Sequence, residues 1–436
     1  MRPSTHYDVI IVGGRPAGAT LAIRLGRHGL RVLLLERAVF PCPHPASSPI
    51  IYASAMALLD EVGANEADYA RGTPRIRNWV NEMYDCFRVS VPFPDAFGRN
   101  YGYALDRARF DDVLWQLASS TPNVTALQPF AVQELLWRDG VVVGVTGQTP
   151  GGQESFTAGC VVGADGRFST VAQKVAAQTY NVRNETPTTI YYAAWEGAQP
   201  CGDQGAVVHF CKPNEGFFFF LFDTADGLVN VCIEGQSKLF SPGPGQVETF
   251  YTGLLRRHPL VWRRLTQAKQ VGPVRGMRNI GNLYRTAGGP GWTLVGDALH
   301  QKDPIDGQGI YDALFTAKAL SKELAAWKLN DKSWAQAITD YNAAVQAETY
   351  EMYNVTLNQV KLNVYSNQSV GVNTFLYRWF GADEELNRRY ALLSVRAIPP
   401  KGWLPARVLL QAAGRGALKN ALYFLTRQPH PAEICD

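Results

Sequence analysis

The first stretch of the chain, to Glu36, constrains the fold more than any other. Tyr7-Asp-Val-Ile-Ile-Val12 is a nearly continuous apolar run rich in β-branched residues, the pattern of a strand buried on both faces. Gly13-Gly14-Arg15-Pro16-Ala17-Gly18 follows as a turn. Ala17, Leu21 and Leu25 then recur at helical spacing over 17–28, and Gly29 ends that helix. Residues 31–35 (RVLLL) form a second buried strand, closed by Glu36. Strand, helix and strand this close together read as a βαβ unit, and so as an α/β fold.

The turn between the first strand and the helix carries chemistry. Glycine at position 13 allows the tight turn, and glycine at 18 lets helix and strand pack closely. The free N–H groups of the helix start hold an anion, so a pyrophosphate can bind there without a basic side chain. Glu36 lies 23 residues after Gly13, where a carboxylate can accept hydrogen bonds from an adenosine ribose. Arg15 stands where the middle glycine of GxGxxG is usual. The alternative is a strand–turn–helix with no ligand. The joint placement of both strands, the helix and Glu36 favours a dinucleotide.

Two more strand-then-helix units appear far downstream. One spans 160–175, with the turn GADGRFS. The other spans 292–328, where WTLVGD is a strand and Ile310, Ala313, Leu314, Ala317, Leu320 and Leu324 form one helical apolar face. Between them, 76–103 and 180–271 are rich in aromatic and β-branched residues. FFFFLFD at 217–223 and LVNVCIE at 228–234 read as a strand pair turned at Thr224–Gly227. The organisation expected is a discontinuous nucleotide domain (5–75, 103–178, 272–345), an inserted antiparallel substrate domain (76–102, 179–271) and a helical C-terminal region (346–436). A chain of 436 residues accommodates two or three domains or one interleaved unit. Only 18% of residues are charged, below the usual ~25%, which suits a large interior.

Composition excludes several classes. The net charge is +4 with no Lys/Arg block, so nucleic acid is not an expected partner. Seven scattered cysteines form no CxxC pair, which reads as a reduced, cytoplasmic protein. The N-terminus has no signal-like apolar region, and no apolar run approaches the ~20 residues of a membrane span. No zinc spacing, Walker loop or Ser-His-Asp order is present.

Gly163-Ala-Asp165-Gly-Arg-Phe-Ser169 resembles the GADGxxS motif of FAD-dependent aromatic hydroxylases, the group A flavoprotein monooxygenases. Gly296-Asp297-Ala-Leu-His300, with Pro304 and Gly307-Gln308-Gly309, resembles their GDAxHxxxPxxGQG motif. The order and spacing of the motifs are similar across about residues 5–330. The first turn resembles a GxRxAG branch of FAD-dependent oxidoreductases, in which Arg15 is a regular feature. Arg107-Ala-Arg-Phe-Asp111-Asp-Val-Leu114 resembles a further family element whose arginine lies near the flavin nucleotide. The resemblance implies FAD in a Rossmann-like domain of the glutathione-reductase type. On it, Gly13, Arg15, Pro16, Ala17 and Gly18 meet the pyrophosphate, and Glu36 and Arg37 lie at the adenosine side. Asp165 caps the turn beneath the cofactor, or serves only as an Asx-turn. Gly296 and Asp297 meet the ribityl chain, and Pro304 with Gly307, Gln308, Gly309 and Ile310 meets the flavin ring.

His300 occupies a motif position and is a weak catalytic candidate; orienting backbone is the stronger reading. Tyr191, Trp195, Phe218 and Phe220 are candidate walls of a substrate cavity, although sheet core explains most such residues. Two positions depart from the pattern. Val171 is followed by Ala172 where relatives carry arginine, and PCPHPASSPIIYAS (41–54) lacks the arginine or glycine often found there.

The activity implied is a monooxygenase of the kind used in secondary metabolism. NAD(P)H, without a second glycine turn of its own, binds transiently and reduces FAD. O2 forms a flavin C4a-hydroperoxide, which oxidises an aromatic or other electron-rich small molecule. Alternatives are an alkene reductase resembling geranylgeranyl reductases, a flavin-dependent halogenase (whose WxWxIP segment is absent), and a non-enzymatic binding module. A homodimer is compatible with all of these. Residues 403–427 can be an amphipathic helix on a membrane surface or a helix packed on protein; Gly414 and Gly416 favour packing.

Overall fold

The βαβ unit forms as His6–Val12, Pro16–Arg27 and Val32–Leu35. The two strands pair in parallel, and Gly29 takes φ +82° where the helix ends. Val9, Ile10 and Ile11 are fully buried, each contributing about 1.5–3 kcal/mol of apolar transfer. The structure is a computed structural model. It describes residues 6–43, 49–83, 87–366, 371–372, 376–381 and 383–426. Part of the 41–54 loop, Cys86, Cys435, the first five residues and 427–436 lie outside the described residues.

The central sheet has eight strands; its parallel core runs in the order Trp292–Leu294, Gly152–Gly163, His6–Val12, Val32–Leu35, Val124–Leu127, and Gly288–Gly289, Val141–Thr149 and Ala131–Arg138 add antiparallel strands at its margins. Strands from three distant parts of the chain thus end side by side. Helices Pro16–Arg27, Arg107–Ser119 and Gly309–Lys328 pack together with this sheet in one apolar cluster.

The second sheet has seven strands, in the order Lys269–Ile280, Thr188–Glu196, Leu228–Gln236, Phe217–Asp223, Val207–Lys212, Asn78–Met83, Phe87–Pro92. The hairpin expected at 217–234 is present, turned through a 3-10 segment at Ala225–Gly227. The sheet is not wholly antiparallel. Asn78–Met83 runs parallel to Val207–Lys212, because the chain returns to the central sheet between them and re-enters in the same direction. Strand Lys269–Ile280 runs through the expected border at 271/272, and helix Trp334–Val360 runs through that at 345/346.

Side chains on the second sheet alternate between two faces. Phe217, Phe219 and Leu221, with Tyr191 and Trp195, pack against helices Val247–Arg257 and Pro259–Leu265. Phe218 packs on the opposite face, with Ile305, Val360 and Val364. The C-terminal region adds helices Glu384–Ser394 and Ala406–Thr426. Gly414 and Gly416 do not interrupt the latter. No helix among the described residues is long and apolar enough to cross a membrane.

Candidate functional site

Two helix starts face the same region, and each is built differently. At the first, Gly13 takes φ +108°, and a Cβ there would lie 2.4 Å from the carbonyl oxygen of Ala164. A Cβ on Gly18 would lie 1.8 Å from the carbonyl oxygen of Gly13. The turn is therefore glycine for the protein's own packing. The helix begins at Pro16 with no side-chain cap and no acidic residue in its first turn, which leaves its positive end available to an anion. Glu36 is buried and accepts the N–H of Gly14 at 2.8 Å and of Ala38 at 2.9 Å. Arg37 beside it is exposed.

Arg15 is explained by a residue that the motif reading quoted but did not assign. Asp111 is fully buried and pairs with both Arg15 and Arg107. The Arg107 guanidinium donates to both carboxylate oxygens, at 2.9 and 3.1 Å. One carboxylate from helix Arg107–Ser119 thus fixes two guanidiniums beside the first turn. Asp165 points into its own turn. It accepts from Ser169 Oγ at 2.5 Å and from the Val171 N–H at 3.2 Å, and burial raises its carboxyl above the usual range. The Asx-type role is the one its hydrogen bonds describe.

The strand Trp292–Leu294 leads into a 3-10 turn, Gly296–Ala298. Gly296 takes φ +61°, and a Cβ there would come within 2.9 Å of the Ala17 methyl, so this turn abuts the first helix start. Asp297 keeps 39% of its side chain accessible, with Arg167 Nε 3.8 Å away. Desolvation by the surrounding walls raises its carboxyl, and the nearby Arg167 opposes that shift. Arg167 and Arg285 brace the turn through backbone carbonyls of Gly281, Lys302 and Ala298.

The second helix start, at Gly309, is held by buried side chains. Gly307 takes φ +64°, with Ile50 Cγ2 2.4 Å from where its Cβ would be. Gly309 differs: a Cβ there would meet no protein atom within 4 Å. Helix Gly309–Lys328 also has no side-chain cap. Around it, Lys302 Nζ pairs with Asp306 at 2.7 Å and Asp312 at 3.0 Å, and Arg396 Nη2 pairs with Asp312 at 3.0 Å. The two cations hold the Asp312 carboxyl below the usual range against its burial. Gln308 was expected to meet the cofactor through its backbone, and its side chain is engaged elsewhere: it donates to the carbonyl of Ser394 and accepts from Arg396 Nε at 3.1 Å.

Asp303, two residues before this turn's first isoleucine, accepts from Thr188 Oγ1 at 2.5 Å and from the Ile305 N–H at 3.0 Å. Glu234, from the second sheet, is buried beside it and near Thr188. Burial and the neighbouring Asp303 push the Glu234 carboxyl well up. Both causes favour the protonated form of Glu234 in this pair. His300 is also neutral: burial lowers its pKa to about 3. Its ring stacks on Tyr284 at 4.1 Å and meets Tyr353 edge-on. This is a packing role, not that of a proton carrier.

The face of the second sheet turned toward this loop is aromatic. Phe218 shares a cluster with Ile305, while Phe220 contacts both that cluster and one containing Tyr52, Phe93, Phe222 and Cys232, with Trp79 and Tyr192 packed against it. Trp79 and Phe93 stack at 3.7 Å. Tyr191 and Trp195 are not on this face. Strand alternation turns them to the helices behind the sheet, where Trp195 Nε1 donates to Tyr251 Oη at 3.1 Å. Their neighbours Ile190 and Tyr192 take the place expected for them. Asp111, Lys302, Asp303, Asp312, Glu234 and Arg396 were not singled out from sequence. Only Asp111 had a local signal, its spacing of four from Arg107.

The parallel sheet, the uncapped glycine turn and Glu36 define a dinucleotide-binding α/β protein. Residues 6–248, more than half of the chain, match the FAD binding domain family, and the chain belongs to that family of FAD-dependent, aromatic-hydroxylase-like oxidoreductases. It is similar to a digeranylgeranylglycerophospholipid reductase of Methanocella arvoryzae, 26% identical over 357 residues, which are 78% of this chain and 83% of that one. It is 34% identical to a 6-methylpretetramide 4-monooxygenase of Streptomyces rimosus over 187 residues, 40% of this chain and 42% of that one. The flavin-dependent brominase Bmp2 has the same fold, with a TM-score of 0.77 at 18% identity, covering 98% of this chain and 100% of that one. The relatives thus include a reductase and a monooxygenase, and the fold is shared with a brominase. FAD is the cofactor, and the residues present fit it: two uncapped helix starts, a carboxylate at the second strand's end, and a glycine that opens onto space rather than protein.

Proposed function

We propose that this protein is a monooxygenase that takes electrons from NAD(P)H and oxygen from O2 and oxidises an aromatic or other electron-rich small molecule. The observation that carries the reading is the aromatic sheet face around Phe220, Trp79 and Phe93, set against the Pro304–Ile310 loop. Such a surface takes a planar apolar substrate, with few polar groups to fix its orientation. The likeness to a monooxygenase at 34% identity adds to it.

In this reading the Pro16–Arg27 start holds the pyrophosphate, with Arg15 and Arg107 braced by Asp111 beside it. Glu36 accepts the adenosine ribose, and Asp297 the ribityl hydroxyls. The N–H groups at Gly307–Ile310 face the flavin pyrimidine, where the helix dipole favours negative charge. Bound FAD supplies the redox chemistry; the chain binds, orients and excludes water. The expected division of labour belongs to the same proposal, with the central-sheet segments holding FAD and 76–102 with 179–271 covering the substrate.

A second reading is an alkene reductase, favoured by the reductase relative that aligns over 78% of the chain. A halogenase would need an available lysine. The first lysine in the sequence is Lys174, and Lys302, next to the flavin loop, is committed to Asp306 and Asp312. The test is turnover of purified protein with NADPH or NADH, candidate aromatic substrates and 18O2. Label in the product supports the proposal. Substrate reduction without label, persisting under anaerobic conditions, overturns it in favour of the reductase. Failure of either nicotinamide to bleach the flavin anaerobically would remove the NAD(P)H step.

A further inference from the structure

The C-terminal helix Ala406–Thr426 is packed the wrong way round for a helix that belongs to a core. Its inward side is made of small residues. Ala412 is fully buried, and a Cβ on Gly416 would lie 2.5 Å from the carbonyl oxygen of Trp379. Its leucines point out: Leu410 is 74% exposed, Leu418 63%, Leu422 50% and Leu425 81%. With Gly414, these residues follow one another at intervals of four, then three, and so form a single stripe along the helix. Among the described residues 18 large hydrophobics are exposed, and five of them, Leu409 included, lie on this one helix. Scattered surface leucines are ordinary, but a continuous stripe marks a surface that something covers.

The charges say what covers it. The helix contains Arg407, Arg415 and Lys419 and no acidic residue. Arg407 is exposed, as is Lys401 just before the helix. Arg415 is anchored to the buried Asp383 at 2.7 and 2.9 Å, which fixes the helix while leaving the stripe outward. A second copy of this face would set cation against cation with no carboxylate on the helix to pair them, in a chain that already carries +4. Anionic lipid headgroups supply the missing countercharge, and the acyl boundary takes the leucines.

We propose that the outer face of the Ala406–Thr426 helix docks the protein on an anionic membrane surface, lying in the interface without spanning it. This does not depend on which reaction the flavin performs. The test is co-sedimentation of the full FAD-loaded chain with vesicles of phosphatidylcholine mixed with phosphatidylserine, and with phosphatidylcholine alone. The expected result is pelleting with the anionic vesicles that weakens with added salt, and little with the neutral ones. Leu410→Glu/Leu418→Glu should lower partitioning by about tenfold or more with flavin content and melting temperature unchanged, since both positions are exposed. Arg407→Glu should weaken binding to the anionic vesicles alone. Equal pelleting with both vesicle types, or anionic pelleting that the double variant retains, overturns the proposal. So does a dimer by light scattering that the double variant dissociates, with no vesicle binding, because the stripe then belongs to a second copy.

Discussion

The two helix starts that face the cofactor region look alike in sequence, as glycine-rich turns, but they are held by different forces. At 13–18 the glycines answer to the protein itself, through Ala164 and the Gly13 carbonyl. At 307–309 the outer glycine answers to nothing in the protein, and the turn is positioned by buried carboxyls, a lysine and an arginine. The first start is a piece of backbone packing. The second is a loop suspended in an ionic network, with an open side. Glycine in a motif therefore carries two meanings, and only the second opens outward from the protein.

That contrast can be broken in four ways, in falling order of effect. Asp111→Ala leaves the Arg15 and Arg107 guanidiniums without their buried carboxylate and should cost about 3–5 kcal/mol in denaturant unfolding. A loss below 1 kcal/mol would mean that packing alone holds the first start. Gly18→Ala should cost about 2–3 kcal/mol, equally in the FAD-free and FAD-loaded protein. A loss confined to the loaded form would make this glycine a ligand contact after all.

Glu234→Gln tests the second start through pH. Burial and the neighbouring Asp303 favour a proton on Glu234 in the folded protein that the unfolded chain releases above the ordinary glutamate value of 4.5. Stability from this group is therefore full below that value and lost as pH rises toward the folded pKa, at up to about 1.4 kcal/mol per pH unit. The variant should lack that slope in unfolding curves between about pH 5 and 8; identical slopes would mean that no proton is held there. Gly309→Ala should leave the FAD-free protein within about 0.5 kcal/mol of the parent. It should weaken FAD binding about tenfold, or ~1.4 kcal/mol, in a fluorescence titration. Unchanged affinity would show that the open side of this turn faces solvent alone.

The difference between the starts is also why one was more legible than the other. The βαβ unit could be read from 7–36 because its strands, helix and glycines are neighbours in sequence. Even Arg15, which lacks an obvious reason locally, has its partner on a helix whose Arg107–Asp111 spacing is visible. The second start takes Glu234 from a strand about seventy residues earlier and Arg396 from a segment about ninety residues later. No local pattern announces either. The aromatic face of the second sheet was misassigned for a smaller reason: the aromatic character of 191–195 was evident, but alternation alone does not say which set faces the loop. Tyr191 and Trp195 were therefore expected on the side that Ile190 and Tyr192 occupy. The C-terminal helix differed in one respect: its two glycines lie within a continuous helix and do not break it.

Arg396 gives the chain an order of assembly. The loop at 304–310 leaves the ribosome long before the arginine that braces it has been synthesised. Until then Asp312 has only Lys302 to balance it, and Gln308 has neither of its C-terminal partners. The first helix start waits as long for its partners, 96 residues from Arg15 to Asp111, but both Asp111 and Ala164 lie in the first half of the chain. A nascent chain thus holds every partner of its 13–18 turn well before those of its 304–310 loop, and the bracing of that loop becomes one of the last events in the making of the protein.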